Sequence, residues 1–180
     1  MENKMVFQKI RLEIVKDHTY DWLPKLHSPE DAYNLIKCVM PEMLASDKEM
    51  MVVLGLSPNN LPHICAVVSM GMADITGSSP REIFKLLLIS NSTRFILVHN
   101  HPGGDPTPSD IDIGNCKKVY EASKILDVEM LDSIIVTPEN FASMSAVEKS
   151  NGIPAELKIF PDISKHQVQP GAAVNDKSAE

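Results

Sequence analysis

One stretch, between a predicted strand and a predicted helix, constrains this chain more than any other part of its sequence. It runs from His99 to Asp112 and reads HNHPGGDPTPSDID. The preceding residues 95–98 form a short apolar run rich in β-formers, which is typical of a buried strand ending at His99. The prolines and glycines at 102–108 predict a loop that folds back over this strand end. Ser109 then opens a helix, and Asp112 in its first turn returns a carboxylate towards the histidines.

Three residues in this stretch, His99, His101 and Asp112, are of the types that bind divalent metals. Two neutral imidazoles and a carboxylate suit zinc and leave a fourth position for water, which catalysis requires. Ordinary alternatives exist, because Ser109 and Asp112 also have the spacing of an N-terminal capping pair. Histidines at strand ends are often only hydrogen-bonded surface residues. The capping pair and the metal site are compatible, so neither interpretation excludes the other.

The spacing H-x-H-x7-S-x2-D in this stretch resembles the motif of the JAMM (MPN-plus, or JAB) metalloprotease superfamily. Longer phrases are similar to those of bacterial RadC-like proteins, whose typical stretch reads HNHPSGDPTPS; Gly103 stands in place of its serine. The other similar phrases are SPEDAYNLI at 28–36, PREIF at 80–84 and LD-x-IIV at 131–136. The resemblance therefore covers roughly residues 28–146.

This resemblance implies one Zn²⁺ per chain, held by His99, His101 and Asp112. In the family, a glutamate on an earlier strand takes a proton from metal-bound water, and the matching residue here is Glu49 at the start of an apolar run. An ordinary solvated glutamate at a strand start is the alternative for Glu49. Ser109 is expected to donate a hydrogen bond to the developing oxyanion. The implied reaction is hydrolysis of an amide or isopeptide bond in a peptide or protein substrate.

One departure from the family pattern lies outside the predicted ligands. Ser133 stands where RadC-like proteins usually carry histidine, in LDSIIV instead of LDHIIV. We expect this change to alter the pocket beside the metal, so the resemblance implies a reaction type and leaves the substrate open.

The order of predicted elements, βαββαβαβ, indicates an α/β fold. At 180 residues the chain has room for one core. The predicted elements are a strand at 6–16, a helix from 28 that Pro41 ends or kinks, antiparallel strands at 50–56 and 64–70, a helix at 79–89 with a full capping box, a strand at 95–98, a helix at 109–126 and a strand at 130–136. We expect a single JAMM-type domain, a mixed sheet packed by about three helices with cytidine-deaminase-like layering.

Boundaries follow from the same pattern. Residues 1–27 are assigned to an N-terminal strand and connector, 28–146 to the RadC-like JAMM metallohydrolase domain and 150–180, rich in proline and polar residues, to a poorly ordered tail. Within the domain, Leu88 is predicted on the buried face of helix 79–89 and Ile125 on that of helix 109–126.

Composition narrows the partners and the location. A formal net charge of −7 disfavours extended contact with nucleic-acid phosphates. Cys38, Cys65 and Cys116 show no CxxC spacing, which predicts buried free thiols and argues against disulfides or a structural zinc knuckle. The sequence shows no signal peptide and no apolar run of membrane-spanning length, so we expect a cytoplasmic protein without membrane contact.

Other classes of function stay open beside the hydrolase. One is a DNA-repair or mobile-element-associated protein, in which the metal domain is DNA-associated or a non-catalytic interaction module. DNA is therefore a conceivable partner that the charge does not support. A two-histidine, one-carboxylate iron oxygenase is a weaker alternative, because the H-x-H order and Glu49 fit hydrolysis better. The oligomeric state does not follow from the sequence.

Overall fold

The computed structural model of the chain describes residues 25–71 and 79–145. In chain order the elements are α1 (Pro29–Val39), α2 (Pro41–Ala45), β1 (Met50–Leu56), β2 (Pro62–Met70), α3 (Pro80–Ile89), β3 (Arg94–Asn100), α4 (Asp110–Leu126), β4 (Glu129–Val136) and β5 (Phe141–Ser143). The strand predicted at 6–16 and the tail predicted at 150–180 lie outside the described residues.

The strands form one five-stranded mixed sheet in the order β2-β1-β3-β4-β5. β1 lies antiparallel to both β2 and β3, β3 is parallel to β4, and β4 is antiparallel to β5. The parallel pair is connected through α4, as parallel strands require a crossover. The predicted α/β fold with a mixed sheet is confirmed. Two short elements add to it: α2, which begins at the predicted break at Pro41, and β5 at the edge of the sheet.

Helices cover the two faces of the sheet because the buried strands alternate their side chains between two apolar clusters. Val52 and Leu54 of β1 belong to the cluster that includes α1, whereas Met51 and Val53 belong to the cluster that includes α3 and α4. All seven residues of β1 are buried. This two-sided burial fixes the central strands and hence the ends of β1 and β3, where the candidate site lies.

The helices begin as their sequences predict, with one difference. Ser28 and Asp31 form a capping box at α1, and Ser109 and Asp112 form one at α4. The full capping box predicted for α3 is wrong, because Ser79 accepts from the Arg81 N–H while the Glu82 carboxylate contacts the exposed cations of Arg81 and Lys85.

Two side chains predicted in the core are exposed instead. Leu88 is 53% exposed and Ile125 is 85% exposed. On α3 the buried positions are Ile83, Phe84 and Leu87, and a residue directly after Leu87 is rotated by about 100° towards solvent. On α4 the buried stripe passes through Ser123, so Ile125 faces away from the sheet.

The prediction of buried thiols is confirmed for Cys116 alone. Cys38 near the end of α1 is exposed, and Cys65 on β2 is half-buried. Burial raises the pKa of the Cys65 thiol to about 12, with a smaller contribution from the Glu42 carboxylate, so this thiol is not a nucleophile at neutral pH. Within the parts of the chain that the structure describes, no helix is long and apolar enough to cross a membrane.

Candidate metal centre

The two histidines lie at the end of β3, near the middle of the sheet. His99 pairs with Met51 of β1 on one side and Ile135 of β4 on the other, and it is only 4% exposed. Residues two apart in an extended chain point to the same side. The Nε2 atoms of His99 and His101 are accordingly 3.2 Å apart.

The first turn of α4 brings Asp112 to these imidazoles. Asp112 Oδ1 lies 3.3 Å from His99 Nε2, and Oδ2 lies 3.6 Å from His101 Nε2. The capping box that begins α4 orients the carboxylate, because Oδ2 accepts from the Ser109 N–H at 2.8 Å and from the Ser109 hydroxyl at 2.6 Å. Capping thus occupies Oδ2 and leaves Oδ1 directed at His99.

His99, His101 and Asp112 form the one cluster among the described residues whose donor atoms, all within 4.8 Å of one another, could hold a metal ion. Three ligand atoms about 2.0–2.1 Å from a tetrahedral ion are separated from each other by about 3.3–3.4 Å. The 3.2 Å between the two Nε2 atoms and the 3.3 Å from His99 Nε2 to Asp112 Oδ1 fit that requirement, while the 3.6 Å distance from His101 Nε2 ends at the other carboxylate oxygen, Oδ2. Nitrogen and carboxylate oxygen donors suit the divalent ions of the later first-row metals.

A backbone carbonyl on the loop after β3 fixes the tautomer of one candidate ligand, His101. His101 Nδ1 lies 2.8 Å from the Asp105 carbonyl oxygen, which can only accept a hydrogen bond. The Nδ1 atom therefore carries the proton, and Nε2 is left with a lone pair for a metal. The loop is itself braced, because the Asp105 carboxylate accepts from both the N–H and the hydroxyl of Thr107.

The charge of Asp112 also favours ligation. Burial acts to raise the pKa of this carboxyl, but hydrogen bonds from His99 and Ser109 outweigh burial and hold the pKa well below its ordinary value. Asp112 is 6% exposed and remains an anion at neutral pH. A buried anion beside two imidazoles is suited to binding a cation.

Glu49 lies on the same cleft as the cluster. It directly precedes β1, and its Oε2 atom is buried without a hydrogen-bond partner among the described residues. A buried acceptor without a donor is costly, by about 1–3 kcal/mol, which marks Glu49 as a group able to receive an incoming proton donor. The cleft has a volume of about 310 Å³ and is lined by Glu49, His101, Pro102, Gly103, Asp105, Ser109, Ile111 and Asp112.

The two other positions that the sequence singled out, Ser109 and Ser133, differ in their relation to the cleft. Ser109 lines the cleft, but its hydroxyl proton is directed at Asp112 Oδ2. Ser133 pairs with Leu97 of β3 and is absent from the lining of that cleft, so its departure from the family pattern is not at the cleft surface.

Two contributors to the site were missed by sequence reasoning. The Asp105 carbonyl is a backbone atom, and no side-chain pattern reveals its direction. Ile111 is 53% exposed and forms an apolar part of the cleft wall. The sequence places this large apolar residue in the first turn of α4, close to Asp112, but only the structure shows that it faces the cleft.

Comparison with known proteins finds a matching family model and several related sequences. The family model for the RadC-like JAB domain matches residues 26–151. A UPF0758 protein of Desulforudis audaxviator is 37% identical over 124 residues, which cover 69% of this chain and 53% of that relative. A UPF0758 protein of Methanosarcina mazei is 38% identical over 120 residues, covering 67% and 51%.

The chain thus spans about half the length of these curated relatives, and their shared name specifies no reaction. The match nevertheless includes every residue of the cleft and all five strands of the sheet. The chain belongs to the RadC-like JAB domain family.

Proposed function

We propose that this chain is a zinc-dependent hydrolase of amide or isopeptide bonds in peptides or proteins. The observation that carries the proposal is the cluster of His99, His101 and Asp112 beside one cleft. His101 and Asp112 line this cleft together with Glu49, whose buried carboxylate oxygen has no hydrogen-bond partner among the described residues. Metal ligands, a proton acceptor and space for a substrate are the parts that such a hydrolase needs. Family membership supports the same proposal.

In this proposal His99 Nε2, His101 Nε2 and one oxygen of Asp112 hold the ion. When bound, Zn²⁺ supplies a Lewis acid that lowers the pKa of water towards neutrality and polarises a carbonyl. Glu49 accepts the proton of the attacking water at its carboxylate and then transfers a proton to the leaving nitrogen. Ile111 and Pro102 offer an apolar wall for a side chain of the substrate.

Ser109 has two candidate roles that can be separated. Its hydroxyl donates to Asp112 Oδ2 at 2.6 Å, which orients a ligand. To donate to an oxyanion, as the family resemblance implies, the hydroxyl must exchange this bond for one to the substrate. A loss of about a hundredfold in kcat for Ser109→Ala, measured at saturating zinc so that the weaker zinc binding does not contribute, supports the oxyanion role.

The test is hydrolysis of a mixed peptide library and of lysine isopeptide substrates by the zinc-reconstituted chain. Glu49→Gln removes the proton acceptor with little change in shape, and Glu139→Gln makes the same change at an exposed residue between β4 and β5. We expect Glu49→Gln to lower kcat by about 10²–10⁴-fold with zinc content unchanged. Glu139→Gln should retain the native rate.

Full activity in Glu49→Gln contradicts the role of Glu49 as base. Loss of zinc in that variant makes Glu49 a ligand instead. If the native chain binds zinc and cleaves none of these bonds, the hydrolase proposal fails and the non-catalytic interaction module becomes the better interpretation.

A further inference from the structure

The residue between the two histidines, Asn100, has a side chain that points away from the cluster of His99, His101 and Asp112. Asn100 is 2% exposed and lies at the last position of β3. Side chains alternate along a strand, so His99 and His101 face the cluster while Asn100 faces the opposite way. A buried amide requires hydrogen-bond partners, and those of Asn100 lie on the segment that carries Glu49.

The two bonds of this amide flank Glu49. Asn100 Oδ1 accepts from the Met50 N–H at 2.6 Å, and Asn100 Nδ2 donates to the Lys48 carbonyl at 3.1 Å. The Lys48 carbonyl belongs to the peptide unit before Glu49, and the Met50 N–H belongs to the peptide unit after it. Both backbone torsions of Glu49 lie between these two planar units, so the amide restrains the direction of its Cα–Cβ bond.

The contact occurs where the sheet stops providing backbone partners. The ladder between β1 and β3 ends with Met51 opposite His99. One step further along, the Asn100 side chain replaces the missing backbone partner of Met50. On the other side, the Gly71 N–H donates to the Glu49 carbonyl at 2.9 Å. The short segment from Lys48 to Met50 is therefore held from both neighbouring strands.

Asparagine is well suited to this position. Its amide presents one acceptor and one donor group at a short distance from its own backbone. These two groups match the Met50 N–H, which needs an acceptor, and the Lys48 carbonyl, which needs a donor. Aspartate lacks the donor and places a charge against the Lys48 carbonyl, and alanine lacks both groups. The orientation of the amide is set by its partners, because Lys48 O can only accept and Met50 N–H can only donate.

We infer that Asn100 is a positioning residue for Glu49, which ties the general base to the strand that carries both histidine ligands. The inference rests on the proposed role of Glu49. In the H-x-H stretch, the two outer residues, His99 and His101, are the metal ligands. The central residue, Asn100, holds the backbone of Glu49 in position through its side-chain amide. A shift of the base by a fraction of an ångström relative to the ligands lowers catalysis even when the ion is retained.

The experiment uses the full chain and three substitutions. Asn100→Ala removes both bonds, and Asn100→Asp keeps the acceptor for Met50 and loses the donor to Lys48. Thr137→Val is the matched control, because Thr137 is 1% exposed and its hydroxyl also makes two bonds to a neighbouring backbone, at Asn140. Each variant is measured for zinc content, amide exchange and ¹⁵N relaxation, and turnover.

The first readout does not depend on catalysis. In Asn100→Ala we expect the Met50 amide to exchange about tenfold faster and the order parameter at Glu49 to fall from about 0.85 towards 0.6. Asn100→Asp should retain slow exchange at Met50. Unchanged exchange and relaxation in Asn100→Ala, or equal changes in Thr137→Val, overturn the inference even if the native chain hydrolyses nothing and the proposed function has already failed.

The second readout separates positioning from general destabilisation. We expect Asn100→Ala to lower kcat by about 10–100-fold with KM and zinc content unchanged, and to have no further effect in the Glu49→Gln background. An equal loss in both backgrounds, a loss of zinc, or the same loss in Thr137→Val contradicts the inference. If Asn100→Ala does not fold, the same comparison is made with Asn100→Asp, whose kcat should fall less and whose loss should also vanish in Glu49→Gln.

Discussion

Two aspartates in this domain are almost equally buried and yet differ in charge. Asp112 at the start of α4 is 6% exposed, and Asp132 in the middle of β4 is 1% exposed. Hydrogen bonds hold the pKa of Asp112 well below its ordinary value despite burial, whereas burial raises the pKa of Asp132 to about 7. Each carboxylate accepts a 2.6 Å bond from a serine, Ser109 and Ser143 respectively.

What differs is the kind of partner. Asp112 faces two imidazoles, and Asp132 is surrounded by the Ser143 hydroxyl and backbone N–H groups at 133, 144 and 145. Neutral donors reduce the cost of a buried charge, and in the case of Asp132 they do not cancel it. Asp112 is therefore an anion ready to bind a cation, whereas Asp132 joins β4 to the end of β5 as a structural acceptor that titrates near neutrality.

The largest effect should come from neutralising each aspartate in turn. In structural zinc sites about 10–16 kcal/mol is shared by four protein ligands, so one ligand contributes about 2.5–4 kcal/mol, and Asp112→Asn should lower zinc affinity by roughly fiftyfold to a thousandfold. Asp132→Asn should bind zinc as the native chain does. Competition with a chromogenic chelator measures both zinc affinities, and similar affinities in the two variants would contradict the difference in role between Asp112 and Asp132.

The second effect is a fall in stability as pH rises towards neutrality, which we expect from Asp132 and not from Asp112. Because the folded state keeps the Asp132 proton up to a pKa of about 7 and the unfolded state loses it near the ordinary aspartate pKa of 3.8, the folded state binds more protons between these values. The free energy of unfolding therefore falls as pH rises, by about 1.4 kcal/mol per unit and about 4 kcal/mol across the whole window.

Urea unfolding at several pH values between 5 and 7.5 checks this prediction for the zinc-free protein. Subtracting the curve of Asp132→Asn removes the contribution of groups that both proteins share. A difference that stays constant with pH shows that Asp132 is ionised in the folded state, like Asp112.

Smaller effects on stability and zinc affinity are expected from removing the serine that donates to each aspartate, Ser109 at Asp112 and Ser143 at Asp132. Ser109→Ala loses the cap of α4, at a cost of about 1 kcal/mol in unfolding free energy, and weakens zinc by about 10–100-fold because Asp112 loses an orienting bond. Ser143→Ala costs about 1–3 kcal/mol by leaving Asp132 with one donor fewer, and leaves zinc affinity unchanged. Unfolding and zinc titration of both variants would show whether the serine bond matters differently at the two sites.

The smallest effects are expected in the loop that brings Asp112 to the histidines. A Cβ atom at Gly103 meets nothing within 4 Å, so Gly103→Ser, which restores the serine of RadC-like proteins, should stabilise the fold by about 0.4–1 kcal/mol. Gly104 has φ of +81°, so Gly104→Ser should destabilise it by about 1 kcal/mol. Thermal unfolding of the two variants checks the opposite signs.

Local patterns explain which parts of the site were predictable. The apolar run before His99, the proline and glycine loop and the serine cap of α4 are neighbours in sequence, so they place His99, His101 and Asp112 together without knowledge of the rest of the fold. Glu49 is distant in sequence, and only the family resemblance singled it out.

Long-range contacts account for what was not predicted. From the sequence, Asn100 is only a polar residue at a strand end, and its role depends on the contact with Lys48. The bond between Ser143 and Asp132 depends on β5, a strand of three residues that is too short to show a sequence pattern. Leu88 and Ile125 were misplaced because an apolar side chain near a helix end is not constrained to face the sheet.

Metal content per chain is the most direct test of the metal centre. Elemental analysis is made on the native chain, purified without chelator and reconstituted with zinc, beside His101→Ala and Asp132→Asn. We expect about one zinc per native chain, the same content in Asp132→Asn, and a loss of zinc in His101→Ala. A native chain that takes up no metal, or a His101→Ala variant that retains it, would contradict the assignment of His99, His101 and Asp112 as a metal site.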